Sequence, residues 1–167
     1  MQKTTPCLWF DTRGEEAANF YTTVFENSRI LDVARYGAAG PGPEGAVMTV
    51  TFELDGQKFV ALNGGPQFTF NEAVSFQVNC ETQDEVDHFW SKLSEGGEEG
   101  PCGWLKDKYG VSWQIVPTAL TELVSDPDTE KSQAAMSAML GMRKIDIEVL
   151  QHVANRQQPS TSDPASP

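Results

Sequence analysis

Two histidines, three cysteines and a short series of strand-spaced amides are the side chains of this 167-residue chain that invite a chemical reading. His88 and His152 both fall in stretches of helical periodicity, where a surface or packing role is expected rather than that of a base. Cys7, Cys80 and Cys102 are too few and too scattered for a disulfide framework or a Cys-x-x-Cys metal site. Cys7 and Cys80 lie in strand-like apolar segments, which predicts buried, inert thiols. Cys102 follows Pro101 in a turn-rich stretch and is expected to be more accessible, but no basic neighbour activates it. The amides and hydroxyls are better organised. Ser75, Gln77 and Asn79 alternate along one segment, and Ser112 and Gln114 along another, so each set shares one face of a strand. Uncharged donors and acceptors suit a neutral or weakly polar organic ligand, and no Arg pair is placed to take a phosphate. A carboxylate base, Glu53 or Asp11, is the other chemistry left open.

The charge balance narrows the partners. Twelve Lys and Arg stand against twenty-four Asp and Glu, a formal net charge of −12. That field repels polyanions and no local basic stripe offsets it, so neither nucleic acid nor an anionic membrane surface is an expected partner. No apolar run approaches the length of a membrane span, and the opening residues Met1 to Pro6 lack the apolar core of a secretion signal. The expected compartment is the cytoplasm. Nine Phe, four Trp and three Tyr supply a core for one domain or two small modules.

The elements that must position these residues repeat. Cys7 to Asp11 reads as a short strand, followed by a helix over 14–25 with Ala17, Phe20, Tyr21 and Val24 on one face. Val74 to Cys80 reads as a second such strand. Thr82 is placed to cap the helix after it, with Glu85 as its capping-box partner and Val86, Phe89, Trp90 and Leu93 as its buried face. Glu16 falls on Glu85, Phe20 on Phe89, Tyr21 on Trp90 and Val24 on Leu93, each 69 positions apart. Strand-type sequence follows each helix: Ser28 to Tyr36, then Val47 to Leu54 and Lys58 to Asn63 around an Asp55-Gly56 turn, and later Gly103 to Lys106 and Val111 to Val116. The order is βαβββ twice. First module, connector and second module occupy 1–63, 64–73 and 74–117; a helical segment occupies 118–156, and the polar tail 157–167 is expected to be disordered.

A duplicated βαβββ unit whose first helix ends Phe20-Tyr21-Thr22-Thr23-Val24-Phe25 resembles the vicinal-oxygen-chelate superfamily of glyoxalases, bleomycin-resistance proteins and extradiol dioxygenases. The run Cys102-Gly103-Trp104-Leu105-Lys106-Asp107-Lys108-Tyr109-Gly110-Val111-Ser112-Trp113-Gln114-Ile115-Val116-Pro117, with Met142 to Ile147 beyond it, resembles the PhnB-like branch. That branch often carries a 3-demethylubiquinone 3-methyltransferase label, and the resemblance spans residues 3–154. It implies an α+β fold in which the two modules form an open, cup-shaped barrel with helices outside and extra C-terminal helices, usually in a homodimer. Met136, Met139, Leu140 and Leu150 would supply an apolar face for such a dimer. Strand alternation assigns Cys7, Trp9, Phe76, Val78, Val111, Trp113 and Ile115 to the helix-covered face. Leu8, Phe10, Ser75, Gln77, Asn79, Ser112 and Gln114 are then expected to line the cup and bind a small-molecule ligand.

Active members of the superfamily hold a divalent metal at four places, and in this chain those places fall on Thr4, Val60, Ala73 and Gln114. Of these only Gln114 could ligate, and among the adjacent Lys3, Thr5, Ala61, Glu72, Val74, Trp113 and Ile115 only Glu72 is a carboxylate. No metal and no other cofactor is expected. The methyltransferase label finds no strand-to-helix glycine turn, because the Gly-rich run 37–45 leads into a strand. A metal-free small-molecule-binding protein is the leading expectation. An enzyme remains the alternative, using Glu53 or Asp11 as base or a metal bound across the dimer, and after it the labelled methyltransferase.

Overall fold

The computed structural model describes residues 2–156, so the tail 157–167 and its expected disorder lie outside the described residues. The chain divides into two compact units. One holds residues up to Ala73 together with Tyr109–Val111; the other holds Val74–Lys108 and the chain from Ser112 onward.

Each unit contains one βαβββ module. In the first, β1 (Cys7–Phe10), α1 (Gly14–Val24), β2 (Arg29–Arg35), β3 (Val47–Leu54) and β4 (Gln57–Asn63) build a sheet of order β1-β4-β3-β2. In the second, β5 (Ser75–Cys80), α2 (Gln83–Ser94), β6 (Glu98–Glu99), β7 (Trp104–Lys106) and β8 (Ser112–Pro117) repeat it as β5-β8-β7-β6. The opening strand of each module runs parallel to the closing one, and the remaining pairs are antiparallel. The two-residue β6 is the one strand that alternation does not reveal, being too short to alternate. Local chemistry sets the corners. Asp55 and Gly56 sit at φ 45° and 79°, both in the left-handed region that a type I′ hairpin requires. Thr82 accepts the Glu85 backbone N–H at 3.2 Å while the Glu85 carboxylate accepts the Thr82 N–H at 3.4 Å, which closes the expected capping box.

The faces of the two sheets follow from register. In the second unit Phe76 pairs with Trp113 and Val78 with Ile115, and this parity packs under α2, as alternation predicts. Trp113 also donates its indole N–H at 2.8 Å to the carboxylate of Asp107, which is only 3% exposed. In the first unit the expected parity of β1 is reversed. Leu8 pairs with Ala61 and Phe10 with Asn63, on the face that carries Val50, Phe52 and Phe59, and Tyr21 of α1 stacks on Phe52. Leu8 and Phe10 are buried, whereas Cys7 is exposed and Trp9 half-buried. The cause is one residue. Three residues, Asp11 to Arg13, join β1 to α1, but only two, Glu81 and Thr82, join β5 to α2. The helices repeat at an offset of 69 and the strands at 70, so Leu8 corresponds to Val78 and Phe10 to Cys80. With a side-chain period of two, a one-residue shift moves the whole strand to the other face.

The C-terminal segment forms α3 (Thr118–Val124), α4 (Thr129–Leu140) and α5 (Ile147–Asn155), with Asp128 and Asp146 as side-chain N-caps. Leu120, Ile145 and Leu150 form its core, against which Val116, Ala138, Met139 and Met142 pack. Of the apolar face expected to serve a dimer, Met139 packs inward with the fully buried Ala135, while Leu140 is 63% exposed. Residues 142–147 act as a strap. Cys102 and Gly103 donate backbone N–H groups to the Met142 and Arg143 carbonyls at 2.8 Å. The Gln83 amide donates to the Ile145 carbonyl at 3.0 Å and accepts the Ile147 N–H at 2.9 Å. Beside it Lys144 pairs with Asp87 at 2.8 Å.

Two expectations follow. Phe10→Ala and Trp113→Ala should each cost about 3–5 kcal/mol in urea unfolding, as buried aromatics do. Cys7→Ala should cost well under that; the reverse order for positions 7 and 10 would restore the other parity. The Lys144 ammonium, then the Gln83 amide, hold the Asp87 carboxyl below its ordinary value. A depressed native-state value means stability present above the unfolded value near 3.8 and lost as pH falls through the folded one. Because both partners are about half exposed, the gain is on the order of 0.2–1 kcal/mol. The stability gap between the natural chain and Asp87→Asn should therefore close on titration from neutral pH to below 3.8.

Candidate functional site

The open face of the second sheet, turned from α2, carries a ladder of uncharged polar groups. Period-two geometry puts Ser75, Gln77 and Asn79 of β5 on it, beside Ser112 and Gln114 of β8. Gln77 and Gln114 are register partners, yet they do not bond each other. Gln114 donates from Nε2 to Ser75 Oγ at 2.9 Å, and Gln77 donates from Nε2 to Asn79 Oδ1 at 2.8 Å. These bonds run along the face and fix the two amide planes. The acceptor oxygens of Gln77 and Gln114 and the Asn79 amino group are left without protein partners among the described residues. Ser112 is 2% exposed and its hydroxyl has no hydrogen-bond partner among the described residues, which a native interior seldom allows. Trp104 lies opposite Gln114 and Lys106 opposite Ser112 on β7, adding an aromatic and an ammonium to the same face. Neither is among the expected lining residues, although alternation of Trp104 and Lys106 around Leu105 would have placed them there.

Leu8 and Phe10, expected in the same lining, lie on the helix-packed face of the first sheet. Phe10 sits edge-on to Phe70 and Tyr109, with ring centroids 5.1 and 6.2 Å away, and Tyr109 also meets Phe20 and Tyr21. That cluster is core. The open face of the first sheet presents Cys7 and Trp9 opposite Val60 and Leu62.

Register also relocates the comparison with a metal centre. Thr4 and Ala73 precede their strands, and the ladder neighbours of Val60 and Gln114 are Cys7 and Gln77. One sheet therefore offers a thiol beside a valine and the other two neutral amides, whose free oxygens are weak ligands. Such donors do not suit a divalent ion, which needs several imidazole, carboxylate or thiolate contacts. Among the described residues no three His, Cys, Asp or Glu side chains gather around a common point.

The chain matches, over residues 2–116, the family model described as 3-demethylubiquinone-9 3-methyltransferase. A PhnB protein of Bacillus cereus bearing the same methyltransferase description is 42% identical, with 70% of this chain and 99% of that one covered at a TM-score of 0.63. A Pseudomonas aeruginosa protein shares the fold at 18% identity, with 70% and 98% covered and a TM-score of 0.58. An Arabidopsis thaliana gene product does so at 16% identity, 70% and 98% coverage and a TM-score of 0.50. No curated protein matches the chain. The family model ends at Val116, so the helices from Thr118 onward, which the sequence resemblance is expected to include, lie beyond it. No helix among the described residues is long and apolar enough to cross a membrane.

The remaining reactive side chains stand apart. His88 lies on α2 and His152 on α5. Glu53 bonds Arg29 at 3.2 Å. Cys80 is fully buried, and burial together with the Glu85 charge pushes its thiol up to about 12. Cys7 is exposed, against expectation, because the reversed parity of β1 turns it outward. Iodoacetamide near pH 8 should accordingly label Cys7 and spare Cys80 until the protein is unfolded. Peptide mapping that finds Cys80 alkylated in the native state would contradict the packing described here.

Proposed function

Since the chain belongs to the 3-demethylubiquinone-9 3-methyltransferase family, the PhnB-like branch of the vicinal-oxygen-chelate superfamily, we propose that it binds a small, uncharged organic molecule on the open face of its second sheet without a metal. The observation that carries this reading is the amide ladder of Gln77, Asn79 and Gln114, whose remaining amide groups are turned to no protein partner among the described residues. A face of fixed donors and acceptors, flanked by Trp104, offers stacking and orientation but no full charge except Lys106. The ligand is thus polar, planar or partly aromatic, and neutral.

The methyltransferase description draws no support from the chain's own geometry. The Gly-rich loop between β2 and β3 opens a strand rather than a helix, so it builds no phosphate- or cofactor-cradling turn. The carboxylate alternatives are weaker than the amide face. Glu53 is held by Arg29, and Asp11 lies in the turn between β1 and α1, apart from the amide ladder of β5 and β8. The assembly we propose is a homodimer. Its support on the chain is narrower than the sequence suggests, since Met139 and Leu150 pack internally and Leu140 and Val149 remain exposed.

A thermal-shift screen of neutral organics, run with and without divalent cations, should find stabilisers whose effect is metal-independent. Gln77→Leu and Gln114→Leu should leave the unfolding transition of the unliganded protein in place and remove the ligand-induced shift. Elemental analysis showing one Zn, Mn, Fe or Ni per chain, lost in Gln114→Ala, would overturn the metal-free reading. Light scattering should give twice the 18.3 kDa chain mass, and a chain mass at micromolar concentration would refute the dimer.

A further inference from the structure

The first unit contains a cavity of about 600 Å³ that plays no part in the reading above. Its volume is within the range of small-molecule pockets, roughly 300–1,000 Å³. It lies between the start of α1, the β2–β3 loop and the turn after β4.

Its walls are built rather than accidental. The Tyr36 phenol donates to the Asn63 carbonyl at 2.5 Å, and its backbone pairs with Gly45 and Ala46 at 2.9 Å, which pins both ends of the loop. The loop then lies flat on the ring: a Cβ at Gly42 would stand 2.4 Å from Tyr36. Across the cavity Gly64 lies as closely on the Trp9 ring, whose indole N–H is bonded to the Gly65 carbonyl at 2.9 Å. Side chains at either glycine would push these walls apart.

The polar inventory of the lining sets the ligand's charge. Asn63 has both ends of its amide engaged, accepting from the Gly14 N–H at 2.8 Å and donating to the Val47 carbonyl at 3.2 Å. Glu16 is paired with Arg13 at 2.7 Å. Thr12 and Gln67 add a neutral hydroxyl and amide, Asp11 and Glu15 are carboxylates without partners among the described residues, and no lining residue carries a positive charge. Pro41, Pro43, Pro66 and Val47 supply an apolar surface around them.

We propose that this cavity is a second binding site, for a small organic cation with a hydrocarbon body. The ammonium group rests between Asp11 and Glu15, and the body rests on the proline and Tyr36 surface. The chain's net charge of −12 raises the local concentration of such cations. An anion is repelled, and a bare metal ion would leave the apolar wall unused.

The probe is 2-phenylethylamine, titrated into the full chain and followed by amide proton–nitrogen correlation spectra. Saturable shifts are expected at Gly42, Gly64 and Gly65. The neutral isostere 2-phenylethanol and the anion phenylacetate should bind about tenfold more weakly or not at all. The double substitution Asp11→Asn with Glu15→Gln should weaken the amine about tenfold with the remaining peaks unmoved. Gln114→Leu should leave amine binding unchanged, which separates this site from the second-sheet face. Absence of saturable shifts, equal binding of amine and alcohol, undiminished binding by the double variant, or loss of binding in Gln114→Leu would each overturn the proposal.

Discussion

A four-stranded sheet covered by one helix can bury only one of its two faces, and that choice fixes which side chains each sheet leaves open. The bulky parity of each sheet goes under its helix because apolar area removed from water is worth about 25 cal/mol per Å², far more than any local preference of a strand residue. In the second unit Trp113, Ile115 and Val78 satisfy that demand. The consequence is that Gln77, Gln114 and Ser112 must face the other way, whatever they do there. The polar face is thus a by-product of core packing before it is a site.

Within the second unit the burial of Asp107 shows how far the core tolerates polarity. A carboxylate at 3% exposure is costly unless it is bonded, and the Trp113 indole N–H reaches it at 2.8 Å. The two residues lie at opposite ends of the turn that joins β7 to β8, so one bond shapes that turn and fixes the indole. Ser112, next to Trp113, has no such bond. The buried carboxylate of Asp107 is bonded, while the buried hydroxyl of Ser112, five residues on, is not.

Much of this was legible from residue types alone. The two βαβββ units, the Asp55-Gly56 hairpin, the Thr82 capping box and the parity of β5 and β8 all follow from short-range chemistry, and the structure has each of them. The parity of β1 did not follow. Leu8, Trp9 and Phe10 are all apolar, so alternation has nothing to discriminate, and the ungapped repeat carried the face from β5 across a turn one residue longer. Only Cys7 and its exposure break the tie, and a cysteine is a poor marker of outside.

The duplication itself separates structure from function. Under the helices the two modules use like for like: Ala17 and Val86, Tyr21 and Trp90, Val24 and Leu93 are all buried at matching positions. On the open faces, compared at the strand offset of 70, they share nothing, with Cys7 against Gln77 and Trp9 against Asn79. The ladder partners differ in the same sense, Val60 in one module and Gln114 in the other. A symmetric metal centre would need matched donors from both modules, and these pairs give a thiol and an apolar side chain on one side and amides on the other. The covered strand positions also differ, Leu8 against Val78 and Phe10 against Cys80, but they stay apolar and buried, whereas the open faces differ in chemical kind. The repeat thus fails in kind only where no helix covers the sheet, with a thiol and an indole on one open face and amides on the other.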